Sequence, residues 1–335
     1  MLQLLTIMAF ILGQDTYRLT VTPFDFEDEK VPASFVKDIS QLETAGNLLF
    51  IRESSDPAIL VLDRQGKFLR RIGSRGQGPN ELGGTSVSFG VNGRSLWTVA
   101  ANMKSAHYFE NGAHLQRISL KSYNRLYLIS STSQALAFSN EHIIFPSYPN
   151  KQVLALAYDY GGDVVKEFPV VFKDKSILAK NPSINDTLWA RDEQRWYCLF
   201  KYQPFLITYD HALNELNRFP LDGPEIQVIS EAFYQHERKK KFDISPLFFS
   251  DIKVFGGKVF LMTEQTLYQI DPETGKTLRR MVFVGSGPDF EQVDKVDPRL
   301  NFCYFSFWND GTIILGHPAM MWDHNLWTTK LPFVP

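Results

Sequence analysis

The chain has 335 residues, a formal net charge of −2, 44% hydrophobic and 14% aromatic residues, and two cysteines. That balance argues against a nucleic-acid binder, which carries a basic excess, and two cysteines are too few for a disulfide framework. The length allows two average domains or one closed β architecture, and 27 phenylalanines supply apolar surface for stacked sheets.

Met1 to Gly13, MLQLLTIMAFILG, is apolar and too short to cross a bilayer as a helix. It reads as the core of a secretory signal peptide, so residues 1–14 are expected to be a leader and residues 15–335 one exported domain, in the periplasm or outside the cell. A cytoplasmic chain whose first strand starts here is the alternative. No Cys follows the run, so no lipid anchor is indicated, and no transmembrane segment is expected. Tyr17 to Phe26 alternates like a strand, and we expect it to complete the last blade of a closed sheet ring, which removes free edges.

From residue 32 onward the chain repeats. An apolar run, an acid, a short polar turn and a second apolar run recur at Asp63, Glu110, Asp159, Asp210, Asp271 and Asp323, separated by 47, 49, 51, 61 and 52 residues. Alternation broken by a tight polar turn marks a β-hairpin. A second series lies upstream, with turns at Gly46, Gly93, Glu141, Gln194, Gly257 and Gly311 each leading into an apolar run. Two hairpins per period make a four-stranded antiparallel blade, with strands A to D, and six periods predict an all-β, six-bladed β-propeller closed by the N-terminal strand. Between blades four and five, Glu225 to Phe242 lacks Gly and Pro and places Ile226, Ile229, Ala232 and Phe233 at helical spacing. That predicts a helical insertion over about 225–242. Its basic run, Arg238 to Lys241, would suit an acidic partner, but a solvated face is the simpler reading and no nucleic-acid partner is expected.

Gly78-Pro79, Gly223-Pro224 and Gly287-Pro288 are each followed by an acid. Glycine takes φ > 0 and proline fixes the next φ, so these pairs are expected to be structural corners between blades. No zinc, EF-hand, G-x-S-x-G, dinucleotide or P-loop pattern occurs, and Cys198 and Cys303 are too far apart to read as a metal or redox pair. In a propeller the loops joining strands B and C share one face with the connections between blades. Counting from each upstream turn, that face receives Arg52, Glu53, Asn102, Ser147, Tyr148, Lys201, Glu264 and His317 at the ends of the B strands. Arg75 and Gln77, in the first Gly-Pro loop, reach the same face. The ring is chemically mixed, suited to acid–base work or to a charged ligand, although strand ends are also polar simply because they are wet.

With the blades and the stretch RRIGSRGQGPNEL at Arg70–Leu82 in view, the chain resembles the bacterial six-bladed β-propellers grouped with NHL-repeat and TolB-like proteins. The resemblance covers residues 32 to the end and implies a fold, an exported or anchored location and no single activity, since propellers host many. Two function classes stay open. One is an exported binding or scaffold propeller, expected as a monomer, engaging a protein, peptide or glycan through its loop face. The other is an enzyme of the channel, such as a metal-assisted lactonase or lyase, resting on Glu53, Glu264 and His317; a divalent metal there would leave no local motif.

Overall fold

The structure is a computed structural model and describes residues 15–24, 38–78, 80–84, 87–100, 104–121, 136–146, 153–173, 182–239, 247–285, 300–317 and 325–333. Strand β1 (Asp15–Pro23) is followed by four separate four-stranded sheets. Blade one holds β2 (Ile39–Ala45), β3 (Leu48–Glu53), β4 (Ile59–Asp63) and β5 (Phe68–Ile72). Blade two holds β6 (Val87–Asn92), β7 (Ser95–Ala100), β8 (Ser105–Glu110) and β9 (Ala113–Ser119). Blade three is β10 (Ala137–Phe138), β11 (Ile143–Pro146), β12 (Val153–Tyr158) and β13 (Val164–Pro169); blade four is β14 (Thr187–Arg191), β15 (Trp196–Phe200), β16 (Phe205–Tyr209) and β17 (Glu215–Pro220).

The remaining strands form one eight-stranded sheet. Blade five, β18 (Asp251–Phe255), β19 (Lys258–Thr263), β20 (Thr266–Ile270) and β21 (Thr277–Gly285), meets blade six, β22 (Tyr304–Phe307), β23 (Thr312–Gly316) and β24 (Leu326–Lys330), with β1 between them. Thr22 and Pro23 pair antiparallel with Thr328 and Trp327, which makes β1 the fourth strand of blade six. Asp15 to Val21 run parallel to Arg279–Gly285 of β21. This second pairing was not foreseen in the sequence. It fuses the two blades, so six blades appear as five sheets, and the N-terminal strand closes the ring by bonding to both neighbours.

Both faces of a blade pack on other blades, which explains why many strands read as unbroken apolar runs rather than alternating ones. In β15, Trp196, Cys198 and Phe200 pack with Leu154 and Phe168 of blade three, while Tyr197 and Leu199 pack with Ile252 and Val259 of blade five.

Four of the recurring acids, Asp63, Asp159, Asp210 and Asp271, serve the C–D turns; Asp323 lies outside the described residues and ahead of β24, the third strand of blade six, so the expected C–D hairpin there is replaced by the pairing of β24 with β1. Asp63 Oδ1 accepts hydrogen bonds from the Gln65 and Lys67 amides at 3.0 and 2.9 Å. Asp159 does the same for Gly161 and Asp163, both at 2.9 Å, and Asp271 accepts from the Glu273 amide at 3.1 Å and the Thr274 hydroxyl at 2.9 Å. A side-chain acceptor folding back on its own turn is the usual reason for an aspartate there. Glu110 differs because Asn111 and Gly112 both have positive φ, 51° and 84°, giving a tight turn that holds without the cap.

Each outer strand of blades one to five also carries a β-bulge at the same place. The register shifts leave Leu69, Leu115, Val165, Leu216 and Leu278 without a cross-strand partner. All five are exposed, up to 57% at Leu115. A bulge twists an edge strand away from flat pairing, a device that protects edges from adding another chain.

Helix α1 (Pro224–Lys239) lies over the connection between blades four and five. Ile226 and Ile229 pack with Leu221, Phe249 and Tyr268, and Phe233 with Phe172 and Ile184. Glu225 anchors its first turn, accepting from Arg280, the Tyr268 hydroxyl and Thr266 Oγ1. Gly223, at φ +144°, is required just before it, since a Cβ would stand 2.5 Å from the Tyr268 ring.

Candidate functional site

The six innermost strands enclose a channel. A cavity of about 370 Å³ is lined by residues of all six, among them Glu43, Asn92, Phe138, Arg191, Lys253 and Phe307. This closed set of neighbours is the geometric mark of a six-membered ring of blades. Neighbouring inner strands are stapled by polar side chains. The Gln41 amide donates to the Phe89 carbonyl and accepts from the Phe89 amide at 3.1 Å, joining blades one and two. Thr44 accepts or donates to Ser306 Oγ at 2.9 Å and joins blades one and six.

An ion triad crosses the channel partway along. Lys253 Nζ lies 2.6 Å from Glu43 Oε1 and 3.4 Å from Asp251 Oδ1. Asp251 also accepts from the Ile252 amide at 2.8 Å and the Phe305 amide at 3.2 Å, so blades one, five and six meet on it. Burial pushes both carboxyls up against the pull of Lys253; burial also opposes the Lys253 charge, but the two acids hold the ammonium charged. Glu43 and Lys253 line the cavity, which lies toward the A–B hairpins.

The B–C side holds most of the residues singled out from sequence. Glu53 ends β3, and Lys201, Glu264 and His317 each follow the last residue of β15, β19 and β23. Arg52 is 3% exposed near Tyr304 and Asp38, and burial lowers its guanidinium to about 10. Lys201 is 6% exposed. Its backbone is fixed, the amide donating to Asp186 O at 2.9 Å and the carbonyl accepting from Phe249 N at 3.0 Å. Burial lowers its ammonium, opposed by Asp186, Cys303 and Asp251 around it. Burial raises the Asp186 carboxyl to about 6, against the pull of Lys201 and a hydrogen bond from Ser183, and raises the Glu264 carboxyl. The Cys303 thiol is pushed up to about 12, by burial first, and feels the charges of Lys201, Glu264 and Asp251. Cys303, ahead of blade six, is thus electrostatically linked to Lys201 of blade four and Glu264 of blade five, while Arg52 is linked to Tyr304 and Asp38.

Arg75 and Gln77 do not join them. Arg75 donates to Ser55 O at 2.9 Å and ties the first Gly-Pro corner to the B–C loop of blade one. In that corner Glu81 accepts from the Gly78 amide at 2.5 Å, and Gly76 has its carboxylate where a Cβ would stand. Gln77 is exposed. Asn102, Ser147 and Tyr148 lie outside the described residues. Asp186, Asp251, Lys253, Glu43 and Cys303 fall outside the series at the ends of the B strands, because they sit on or just before A strands. A signal existed: Asp38-Ile39, Asp186-Thr187 and Asp251-Ile252 each place an aspartate at the start of an inner strand. Among the described residues no three His, Cys, Asp or Glu side chains are grouped to hold a metal ion, and no helix is long and apolar enough to cross a membrane.

Residues 33–91 match a family model, DUF5128, described as a 6-bladed beta-propeller. No curated protein matches the chain. Among solved structures, an exported protein of Bacteroides fragilis superposes with a TM-score of 0.58 at 12% identity, covering 95% of this chain and 99% of that one. A member of the DUF4221 family from Bacteroides vulgatus gives 0.57 at 10% identity over 93% and 95%. A catalytically inactive virginiamycin B lyase from Staphylococcus aureus, with quinupristin, gives 0.52 at 8% identity over 93% and 99%. At these identities the likeness speaks to the fold: the chain is a six-bladed β-propeller.

Proposed function

We propose that this chain is an exported binding propeller that engages a protein, peptide or glycan through the face carrying its B–C loops and interblade connections. The observation that carries this reading is the set of buried charged side chains at the B–C ends of the inner strands. Lys201 is buried within electrostatic reach of Asp186, and Arg52 of blade one is buried near Asp38 and near Tyr304 of blade six. Burying charge costs stability, and natural folds keep buried charge where it does something. Export is supported by the apolar Met1–Gly13 run and by the exported Bacteroides neighbour of the same fold. The Gly-Pro corner at Gly76–Glu81 supports placing the chain with the NHL-repeat and TolB-like propellers.

Peptide and glycan arrays probed with the chain and with Lys201→Met and Glu264→Gln variants test the reading. Retained folding with at least a tenfold loss of binding in the variants supports it. Binding unchanged in both variants, or no binding to any array member, defeats it.

A further inference from the structure

The C–D turn of one blade packs against the outer strand of the blade before it, and at two of these seams a glycine makes the fit. Gly162 of blade three and Gly275 of blade five have positive φ, 81° and 70°. A Cβ there would stand 2.1 Å from Ser119 O of blade two and 2.2 Å from Phe219 Cβ of blade four, so both seams are closed because the turn residue has no side chain. Blade four departs from this. Its turn has the hydrogen bonds of blade three's, the Leu213 amide donating to Asp210 O at 3.0 Å as the Gly162 amide does to Asp159 O at 3.1 Å. The left-handed position, φ 65°, is nevertheless held by a leucine. A bulky residue there is strained, and such strain gathers where a fold is shaped for a ligand.

The Leu213 side chain is 2% exposed and packs in one cluster with Phe168 and Val170 of blade three and Tyr209 of its own blade. These four residues also wall a cavity of about 360 Å³ between the outer parts of blades three and four. A leucine needed only for packing would fill its seam; this one stands beside open space. Lys166, Lys173, Arg218 and Glu215 supply the charges of the lining. Lys166 alternates with Phe168 along β13 onto the same face. Glu215 and Arg218 are three apart and would point to opposite faces of a regular strand. The bulge at Leu216 lets Glu215 pair with Tyr209 and Arg218 with Ile207, which puts both on the face that packs on blade three. There Arg218 donates to Glu215 from Nε at 3.3 Å and Nη2 at 3.2 Å. Three cations thus meet one acid among the lining residues, and that acid is already engaged.

Clefts of this volume, with apolar walls and a few charged groups, are the usual form of small-molecule sites. We propose that the seam between blades three and four binds a small amphiphilic anion, a carboxylate or phosphate monoester on an apolar body. The body lies against Phe168, Val170, Tyr209 and Leu213, and the head is drawn to Lys166 and Lys173. Lysines attract either head as point charges, without the fixed fork by which an arginine selects. The site lies between outer strands, apart from the B–C ends of the inner strands, so it adds to the binding reading and does not rest on it.

The test titrates the full chain by calorimetry at pH 7 with sodium octanoate and, separately, octyl phosphate. Octanol and octylamine carry the same body with a neutral and a cationic head. The proposal predicts one saturable site for at least one anion, about tenfold tighter than for octanol, and none for octylamine. The tighter anion identifies the head group. Lys166→Gln combined with Lys173→Gln should weaken the anion about tenfold and leave octanol unchanged. Lys67→Gln combined with Lys276→Gln, at exposed lysines beside other C–D turns, should change neither. No saturable site for either anion, octanol or octylamine binding as tightly as the anions, an unchanged affinity in the first variant, or an equal loss in the second overturns the proposal. The head-group comparison uses wild type alone, so it stands even where a variant folds poorly. Failure here leaves the B–C reading intact, since that is measured on the arrays with Lys201 and Glu264 variants.

Discussion

Replacing Lys253 with methionine removes the only cation within ion-pair distance of Glu43 and Asp251 among the described residues. The stem is replaced by one of similar volume, so packing changes little and the effect reads the charge. Breaking a buried pair by deleting one partner typically costs about 3–5 kcal/mol, because the remaining charge has no compensation. With an unfolding entropy of about 2.1 cal/mol/K per residue, that loss corresponds to a fall in Tm of about 4–7 °C for a chain of this length. The sign of the pH dependence follows from the carboxyls. Burial already holds Glu43 and Asp251 above their ordinary values, and loss of Lys253 raises them further. A carboxyl raised in the folded state is tolerated below its unfolded pKa and becomes a burden as pH rises, so the deficit should be larger at pH 8 than at pH 5. Urea unfolding of wild type and variant at both pH values, followed by tryptophan fluorescence, measures it. Adding Glu43→Gln should recover part of the loss. A deficit below about 1 kcal/mol, or one that grows at pH 5, would refute the reasoning.

Three further outcomes are expected. His107 is fully buried, with Nε2 3.0 Å from Ser105 Oγ and Nδ1 3.3 Å from His114 Nε2; burial first, then His114 and Arg117, lower it to about 4. A histidine lowered in the folded state costs nothing above the unfolded value near 6.5, and stability is lost as pH falls from there toward 4, by about 2 kcal/mol after allowance for screening; His107→Gln should flatten that slope in unfolding titrations. Asp271→Ala should cost about 0.5–2 kcal/mol through the lost turn acceptors, whereas Glu110→Ala, on a turn that holds itself, should cost less than about 0.5 kcal/mol in the same assay. Leu115→Lys, at an exposed bulge, should leave stability within about 0.5 kcal/mol, and a large loss would show that the bulge residue packs in a way its exposure denies.

The blade ring was legible because its information is local. A hairpin announces itself within a dozen residues, and two interleaved turn series at one period leave little freedom. The acids at Asp63, Asp159 and Asp271 were visible as a repeat, although their work as turn acceptors needed coordinates. The bulges were not legible, since the outer strands read as ordinary alternating runs and an unpaired Leu115 or Leu216 depends on register. Nor was the parallel pairing of β1 with β21, which requires knowing that β21 continues to Gly285. At the site, counting along each blade reached Arg52, Lys201, Glu264 and His317. It missed Glu43, Asp251 and Lys253 because ring closure brings Glu43 to the other two across more than two hundred residues of chain, and no local pattern records that.

The central claim is that ligand binds on the B–C face of the channel. Hydrogen–deuterium exchange with and without the strongest array ligand tests it most directly. The account predicts protection at Arg52–Ser54, Lys201–Gln203 and Glu264–Gln265, with the A–B turns at Gly46, Gly93, Gly257 and Gly311 unchanged. Protection confined to those turns would place the ligand in the cavity at the A–B hairpins and contradict it.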